Sequence, residues 1–418
     1  MKSPICHRDL VADPALGLRL KRAEMSSPAK RARTDTEAGE ARVAIAFDID
    51  GVFKYGREWS KDGLRALQKV TEAKMPFVFV TNGGGGLTEA SYASSMSSKI
   101  RAASSLPEKE RTDVIIDGSR MVLSYTPWQS LLAPSLAEGA VLIIGDPKEQ
   151  VLQVAHNYGL KYAVHYSDYA VKHYNINPFR GAREGGHSHT AVATTAVSNA
   201  EGAKRTACEG ADDRPFEAVL VMCDPYEWYE AVQVGVDVLC SPTPLTVEFD
   251  VTVPPMPCHF SNPDVLWKSE HPFPRFGQGA FKIALKALYM ERMRFLRIPQ
   301  ETIDERIAAI RQWGKPTDAT FRFVEQRLRE LAPMPHATTE RFYMVGDNPT
   351  SDIEGTRRSN IVHKSTCTSW DGVLVRTGVY KSGDETNGAT VVVDGIGDAV
   401  DWIIEREKGL RAATGGAS

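Results

Sequence analysis

The sequence lacks any apolar run near the ~20 residues that a membrane-spanning helix needs, so a protein that crosses a membrane is not expected. It also has little net charge. Its 50 basic and 53 acidic side chains leave −3 at neutral pH, which is too little basic charge to attract nucleic acid or anionic lipid to the whole molecule. With 42% hydrophobic and 25% charged residues, the composition is typical of a folded globular protein. The low net charge indicates a small substrate.

Cysteine is sparse and scattered. The chain has six cysteines and no C-x-x-C pair, so the sequence indicates neither a zinc site nor a disulfide framework. This usage is typical of a reducing compartment.

The first 40 residues show no strand or helix periodicity, and we interpret them as a disordered or targeting leader. Basic residues are mixed there with Asp9 and Asp13, which makes a weak match to a mitochondrial transit peptide. The stretch PAKRAR at 28–33 is equally compatible with a nuclear signal or a solvated tail. The predicted location is therefore mitochondrial or cytoplasmic.

The remaining chain alternates short apolar runs with helical patterns, which predicts parallel β-sheet covered by helices. A chain of 418 residues suits two domains, or one domain with a large insertion. Residues 60–73 are predicted as a helix and residues 180–214, which have no apolar period, as a long surface loop. The predicted strands are VAIAF (43–47), PFVFV (76–80), DVIID (113–117), AVLII (140–144), FEAVLVM (216–222) and RFYMV (341–345).

Two acids follow the first predicted strand, in the stretch Asp48-Ile49-Asp50-Gly51-Val52. In near-extended backbone, residues i and i+2 project to the same side, so both carboxylates can reach one site at the carboxyl end of the strand. Such a pair suits a metal site or acid/base chemistry. Taken alone, the same stretch is compatible with a polar turn.

Polar signals also follow two other strands. Thr81, Asn82 and Gly83 open a glycine run that offers a hydroxyl and backbone N–H groups to an oxyanion. Asp347 and Asp352 lie in the stretch GDNPTSD (346–352) after another strand, and Lys315 precedes it. The spacing locates an insertion, because 33 positions separate Asp48 from Thr81 but 234 separate Thr81 from Lys315.

This ordered set resembles the haloacid dehalogenase superfamily and, within it, the group of the cat eye syndrome critical region protein 5, a neighbour of the NagD-like phosphatases. Supporting stretches are SNPDVLW (261–267), PRFGQGAF (274–281) and LVRTGVY (374–380). The resemblance implies an α/β fold, with a Rossmann-like parallel core and an inserted α/β cap. The predicted domains are a leader (1–40), a core (41–111 and 262–408), a cap (112–261) with a flexible insertion near 180–214, and a tail (409–418).

The resemblance implies a Mg²⁺-dependent phosphatase with an aspartyl-phosphate intermediate. Asp48 would be the nucleophile, Asp50 the acid and base, and Lys315 the neutralising cation. Thr81, Asn82 and Gly83 would bind phosphate. Mg²⁺ would be held by Asp48, the backbone carbonyl of Asp50, Asp347 and Asp352. An acid at position 50 favours phosphoryl transfer to water over carbon–halogen cleavage.

The substrate is expected to be a small phosphorylated molecule, with glycerophospholipid metabolism as the setting that the resemblance suggests, and a homodimer is left open. The alternative function is a scaffold that retains the fold but turns over little, based on the 180–214 insertion. We interpret Asp224 of the cap as a helix N-cap, and Trp228 and Trp267 as core aromatics, rather than as substrate contacts.

Overall fold

The computed structural model describes residues 41–173, 176–178, 214–241, 251–267, 271–332, 337 and 339–415. The predicted leader, nearly all of the 180–214 insertion and the last three residues of the predicted tail lie outside these residues. The scaffold alternative rests on that insertion and therefore stays a prediction.

Fifteen strands form the sheets of the described residues. Their bounds are Ala41–Phe47 (β1), Lys54–Tyr55 (β2), Glu58–Trp59 (β3), Phe77–Val80 (β4), Met121–Val122 (β5), Ala140–Ile144 (β6), Tyr162–His165 (β7), Phe216–Val221 (β8), Cys258–Phe260 (β9), Leu266–Trp267 (β10), Arg275–Phe276 (β11), Ile310–Gln312 (β12), Thr339–Gly346 (β13), Thr368–Val375 (β14) and Val391–Val393 (β15).

The α-helices of the described residues are Gly63–Glu72 (α1), Glu89–Ala103 (α2), Trp128–Leu131 (α3), Ala133–Leu136 (α4), Lys148–Asn157 (α5), Tyr166–Lys172 (α6), Trp228–Cys240 (α7), Gln278–Phe295 (α8), Gln300–Ala308 (α9), Asp318–Leu331 (α10), Glu354–Val362 (α11) and Ile396–Gly415 (α12). None of these helices combines the length and apolar character needed to cross a bilayer.

Two parallel sheets organise the fold, which confirms the predicted α/β class. The core sheet has the order β15-β14-β13-β1-β4-β5, and the cap sheet has the order β12-β9-β8-β6-β7. All the strand pairs within these two sheets are parallel. Two small antiparallel hairpins, β2-β3 and β10-β11, accompany the sheets.

The strand at the centre of the core sheet shows why a continuous apolar run forms here. Alternate side chains of β1 face opposite sides of the sheet. Val43, Ile45 and Phe47 join a hydrophobic cluster with α1 and α12, while Ala44 and Ala46 pack towards α10 on the other face. Burial on both faces removes the polar alternation that a half-exposed strand shows.

One predicted strand and two predicted domain boundaries differ from the pairing of the strands. The stretch 113–117 is not a strand; Ile115 within it is two-thirds exposed, and the paired strand is the two-residue β5 that follows. The boundaries at 112 and 261 do not coincide with the sheets, because β5 pairs in the core sheet and β12 in the cap sheet. Strands of two or three residues are too short to produce a recognisable apolar period.

Trp267 is half exposed on the β10-β11 hairpin, so it is not a core aromatic as predicted. Hairpin pairing places it opposite Arg275, away from either hydrophobic core. Trp228 fits the prediction better, since it packs edge-on against the buried Phe281 with ring centroids 5.4 Å apart.

Candidate active site

The predicted residues meet where adjacent parallel strands of the core sheet end. Phe47 of β1 pairs with Val345 of β13 and Phe79 of β4. Asp48, Thr81 and Asp347 therefore follow three neighbouring strands at the same edge of the sheet, which is where open α/β sheets place their ligand sites.

Lys315 lies between two of the predicted acids. Its Nζ is 2.7 Å from Asp48 Oδ1 and 2.7 Å from Asp352 Oδ1, and the side chain is almost completely buried. Burial alone disfavours a charged ammonium. The two carboxylates outweigh that cost and raise the pKa of Lys315 above its ordinary value, so the lysine is a permanent cation at neutral pH.

Three buried carboxylates surround this lysine. Oxygen atoms of Asp48, Asp347 and Asp352 lie within 4.8 Å of one another. Burial, and then the charge of Asp352, raises the pKa of Asp347 to about 7, and burial likewise raises the pKa of Asp48 well above its usual range. One lysine does not balance three acids. An all-oxygen, electron-rich set of this kind fits a hard divalent cation such as Mg²⁺.

Asp347 is held by backbone that only glycine allows. Gly51 has a positive φ of 86°, and a Cβ at either Gly51 or Gly378 would collide with the Asp347 carboxylate. The amide of Val379 donates to Asp347 Oδ2 at 2.6 Å, and Thr377 Oγ1 donates to the Gly51 carbonyl at 2.6 Å. The Thr-Gly stretch carries part of the family resemblance, but no feature of the sequence indicates that it takes part in the site.

The side chain of Asn82 has a role that the sequence did not predict, while phosphate binding by its backbone amide stays a prediction. Its Nδ2 donates to the Lys315 carbonyl at 3.0 Å, and its Oδ1 accepts from the Lys315 amide at 2.7 Å. The side chain thus fixes the backbone that carries the lysine, across 233 positions of sequence. Any contact between Asn82 and phosphate is left to its backbone amide.

Thr81 and Gly83 form a tight turn beside the acids. The Gly83 amide donates to Thr81 Oγ1 at 2.9 Å, which leaves the hydroxyl proton of Thr81 able to donate to an anion. A Cβ at Gly83 would lie 3.3 Å from Thr81 Oγ1. The glycine therefore allows a close approach between this loop and the site.

Asp50 stands apart from the three buried acids. Its carboxylate is 56% exposed and pairs with Lys54 Nζ at 3.0 Å. Its backbone carbonyl, rather than its side chain, remains the predicted metal ligand.

Two further acids lie near the site. The sequence predicted no role for Asp264 and a wrong one for Asp224. Asp264 accepts from Asn82 Nδ2 at 3.2 Å, and burial raises its pKa. Asp224 is not the predicted N-cap, because α7 begins after Glu227 and has no side-chain cap. Its Oδ1 is buried and has no hydrogen-bond partner among the described residues. An acid directly after the apolar run of β8 was the available signal for Asp224.

The chain matches two family models. One, described as haloacid dehalogenase-like hydrolase, matches residues 45–161, and one described as HAD-hydrolase-like matches residues 312–399. The chain belongs to the haloacid dehalogenase-like hydrolases. The family predicted from the motif order is therefore confirmed, and the protein is a hydrolase of that family.

Relatives cover most of the chain. The mitochondrial hydrolase YKR070W of Saccharomyces cerevisiae is 29% identical over 396 residues, which is 87% of this chain and 96% of that protein. Hypothetical protein PH1952 of Pyrococcus horikoshii matches 86% of this chain and 99% of its own at 18% identity and a TM-score of 0.53. A 4-nitrophenylphosphatase of Thermotoga maritima matches 86% and 97% at 16% identity and a TM-score of 0.52. These structural matches show that the chain shares its fold with both proteins.

Proposed function

We propose that this protein is a Mg²⁺-dependent phosphatase that hydrolyses a small phosphomonoester through an aspartyl-phosphate on Asp48. The observation that carries the proposal is the position of Lys315 Nζ, 2.7 Å from both Asp48 and Asp352 and beside Asp347. A carboxylate that attacks a phosphate dianion needs charge neutralisation on both partners, and a buried lysine flanked by a cation-binding triad supplies it.

Each residue of the site has its own catalytic role. Asp48 attacks phosphorus, Lys315 orients that carboxylate and neutralises phosphoryl oxygens, and Thr81 with the Gly83 turn donates to the remaining oxygens. Asp50 protonates the leaving alkoxide and then removes a proton from the attacking water. Its exposed position, with Lys54 as the partner of its carboxylate, supports this role.

Asp48, Asp347, Asp352 and the Asp50 carbonyl would hold the magnesium ion. The bound ion would supply electrostatic stabilisation of the phosphoryl charge. The donor set supports this assignment, since all the candidate ligands are oxygen atoms and three belong to buried acids.

The relatives support a finer setting. The name of the yeast relative places that protein in mitochondria, and the Thermotoga protein is named as a phosphatase of an aryl ester. We propose a mitochondrial location for this protein on that similarity. Glycerophospholipid metabolism and a homodimer remain predictions.

The test is phosphate release by the purified chain with Mg²⁺ across sugar phosphates, glycerol phosphates, nucleotides, phospholipid head-group esters and an aryl phosphate. Turnover of at least one ester is expected, with none in the isosteric Asp48→Asn variant and none after chelation of the metal. A folded wild-type protein that releases no phosphate from any of these esters would contradict the proposal. So would an Asp48→Asn variant with activity above a few per cent of wild type.

A further inference from the structure

The loop after β4 is expected to bind an anion, yet it consists mainly of glycine. Residues 83–86 are four consecutive glycines, and Gly85 and Gly86 adopt positive φ angles of 54° and 72°. Ordering glycine costs more conformational entropy than ordering any other residue. A loop of this composition (residues 83–87, here the glycine loop) needs contacts from outside itself to hold its backbone amides in one arrangement.

We propose that Tyr125 is the positioning residue that holds the glycine loop in its phosphate-binding conformation. Its side chain is completely buried beneath the loop. The hydroxyl donates to the Leu87 carbonyl at 2.5 Å and lies 3.2 Å from the Gly84 carbonyl. A single proton is thus directed at two backbone carbonyls of the same loop.

The ring contributes as well as the hydroxyl. A Cβ built at Gly84 would lie 2.7 to 2.9 Å from Cε1, Oη and Cζ of Tyr125. The loop backbone therefore rests directly on the aromatic ring, and glycine at 84 is needed for that approach. The neighbouring Ser124 amide also donates to the Gly83 carbonyl, at 3.3 Å.

Tyr125 is itself fixed by a buried polar network. Thr126 Oγ1 accepts from the Leu123 amide at 2.9 Å and donates to Glu89 Oε1 at 2.7 Å. Tyr158, which follows cap helix α5, donates to the same Glu89 oxygen. Because burial raises the pKa of Tyr125 well above its usual value, its hydroxyl stays a donor throughout the pH range of folding.

Tyr125 touches no predicted reacting atom in these contacts, so its effect on catalysis passes through the loop. The inference rests on the proposed function and adds a positioning residue to it. Loss of the hydroxyl should weaken phosphate binding more than it slows the chemical step, because the nucleophile and Lys315 are held by other contacts.

The experiment compares Tyr125→Phe with Tyr158→Phe. Each variant removes one buried tyrosine hydroxyl, but of the two only the Tyr125 hydroxyl bonds to the glycine loop. For Tyr125→Phe we expect about a threefold to tenfold rise in KM and in the inhibition constant of inorganic phosphate, the range of one ordinary hydrogen bond, with a smaller change in kcat. Tyr158→Phe should leave both constants near wild type.

Amide hydrogen exchange provides a readout that does not need turnover. The Gly83 amide donates to Thr81 Oγ1 and the Leu87 amide donates to the Gly84 carbonyl. Exchange of both amides should become faster in Tyr125→Phe but not in Tyr158→Phe. If Tyr125→Phe does not fold, Gly84→Ala perturbs the same contact from the loop side and should raise KM alike. Unchanged KM, phosphate inhibition and exchange in Tyr125→Phe would overturn the proposal.

A wild-type protein that hydrolyses no ester would count against the proposed function alone. The exchange comparison would then decide the role of Tyr125. Faster exchange confined to residues 83–87 would support it, and equal exchange in the two variants would overturn it.

Discussion

At the scale of single residues, the proposed site separates two kinds of aspartate. Asp48, Asp347 and Asp352 are buried and close together, whereas Asp50 is exposed and paired with Lys54. This contrast fits two proposed roles. The buried acids fix charge within the site, whereas the exposed Asp50 exchanges protons with the leaving group and with water.

Asp50→Asn tests that division. We expect turnover to fall by about 10²–10⁴, the usual contribution of general acid–base catalysis, while Mg²⁺ binding changes little because the backbone carbonyl remains. An aryl phosphate should lose less in the first step, since its leaving group needs little protonation. Mass spectrometry should then detect phosphoenzyme accumulating on Asp48. A variant as fast as wild type would remove Asp50 from the mechanism.

Asp224→Asn tests the stability cost of an unpartnered acid. Burial, and then the charge of Asp264, raises the pKa of Asp224 to about 6 from 3.8. The folded state therefore prefers the protonated acid, and the wild type loses stability as pH rises from about 4 through 6. The amide should stabilise the protein by up to about 3 kcal/mol above pH 7 and by about half as much at pH 5.

Denaturant unfolding at the two pH values measures this difference. Asp168→Asn is the control, because Asp168 is also an acid of the cap but pairs with Lys148 Nζ at 2.5 Å. It should not gain stability. Destabilisation by Asp224→Asn at pH 7.5 would show that the carboxylate has a structural partner after all.

At the scale of elements, the segment after β14 shapes the site as much as the strands do. The loop after β14 contacts Gly51 and Asp347 through Thr377, Gly378 and Val379. It therefore holds residues that follow β1 and β13. Such contacts place the carboxylate without requiring any side chain of the loop to touch the metal or the substrate.

Gly378→Ala tests this contact between elements. The new Cβ would overlap the Asp347 carboxylate, so we expect at least about a tenfold loss of activity and weaker Mg²⁺ binding, with a stability loss of about 1–3 kcal/mol. Gly395→Ala is the control, since its Cβ would make an ordinary contact 3.6 Å from Thr377 Cγ2. Activity and melting temperature measured side by side check both. Equal behaviour of the two variants would contradict the proposed role of Gly378.

At the scale of the whole molecule, the two sheets share hydrophobic packing. One buried cluster combines core residues such as Phe47 and Phe79 with cap residues such as Val141, Val151 and Leu220. The cap is therefore anchored by side chains that interdigitate with the core, and the Glu89–Tyr158 hydrogen bond adds a polar link between them. This anchoring keeps the cap next to the glycine loop and the buried acids.

Mg²⁺ should stabilise the whole fold if the three buried acids bind it. A ligand at 100 times its dissociation constant adds about 2.7 kcal/mol to the free energy of unfolding. We expect the melting temperature to rise with Mg²⁺ concentration in the wild type and to respond far less in Asp347→Asn. Asp113→Asn, which changes an exposed acid, should respond like the wild type. A wild-type melting temperature independent of Mg²⁺ would contradict the metal site.

Local patterns in the sequence were enough for the family, the fold class and the meeting of Asp48, Thr81 and Asp347. The reason is that parallel strands buried on both faces produce apolar runs, and their carboxyl ends meet at one edge of the sheet. Lys315 was predicted from motif order, although 234 positions separate it from Thr81. The two-residue β5, the three-residue β12 and the sheet boundaries they set have no such local signal.

The sequence by itself determined which chemical groups stand at the strand ends and in what order. Only the tertiary structure decided how those groups use one another: Asn82 holds the backbone of Lys315, Gly378 approaches Asp347, and Tyr125 supports the glycine loop. The physical reason is that periodicity reports burial along one element, whereas a hydrogen bond depends on where two separate elements place their atoms. An acid such as Asp224 therefore suggests a helix cap from its neighbours in sequence and shows an unpartnered oxygen only once the chain is folded.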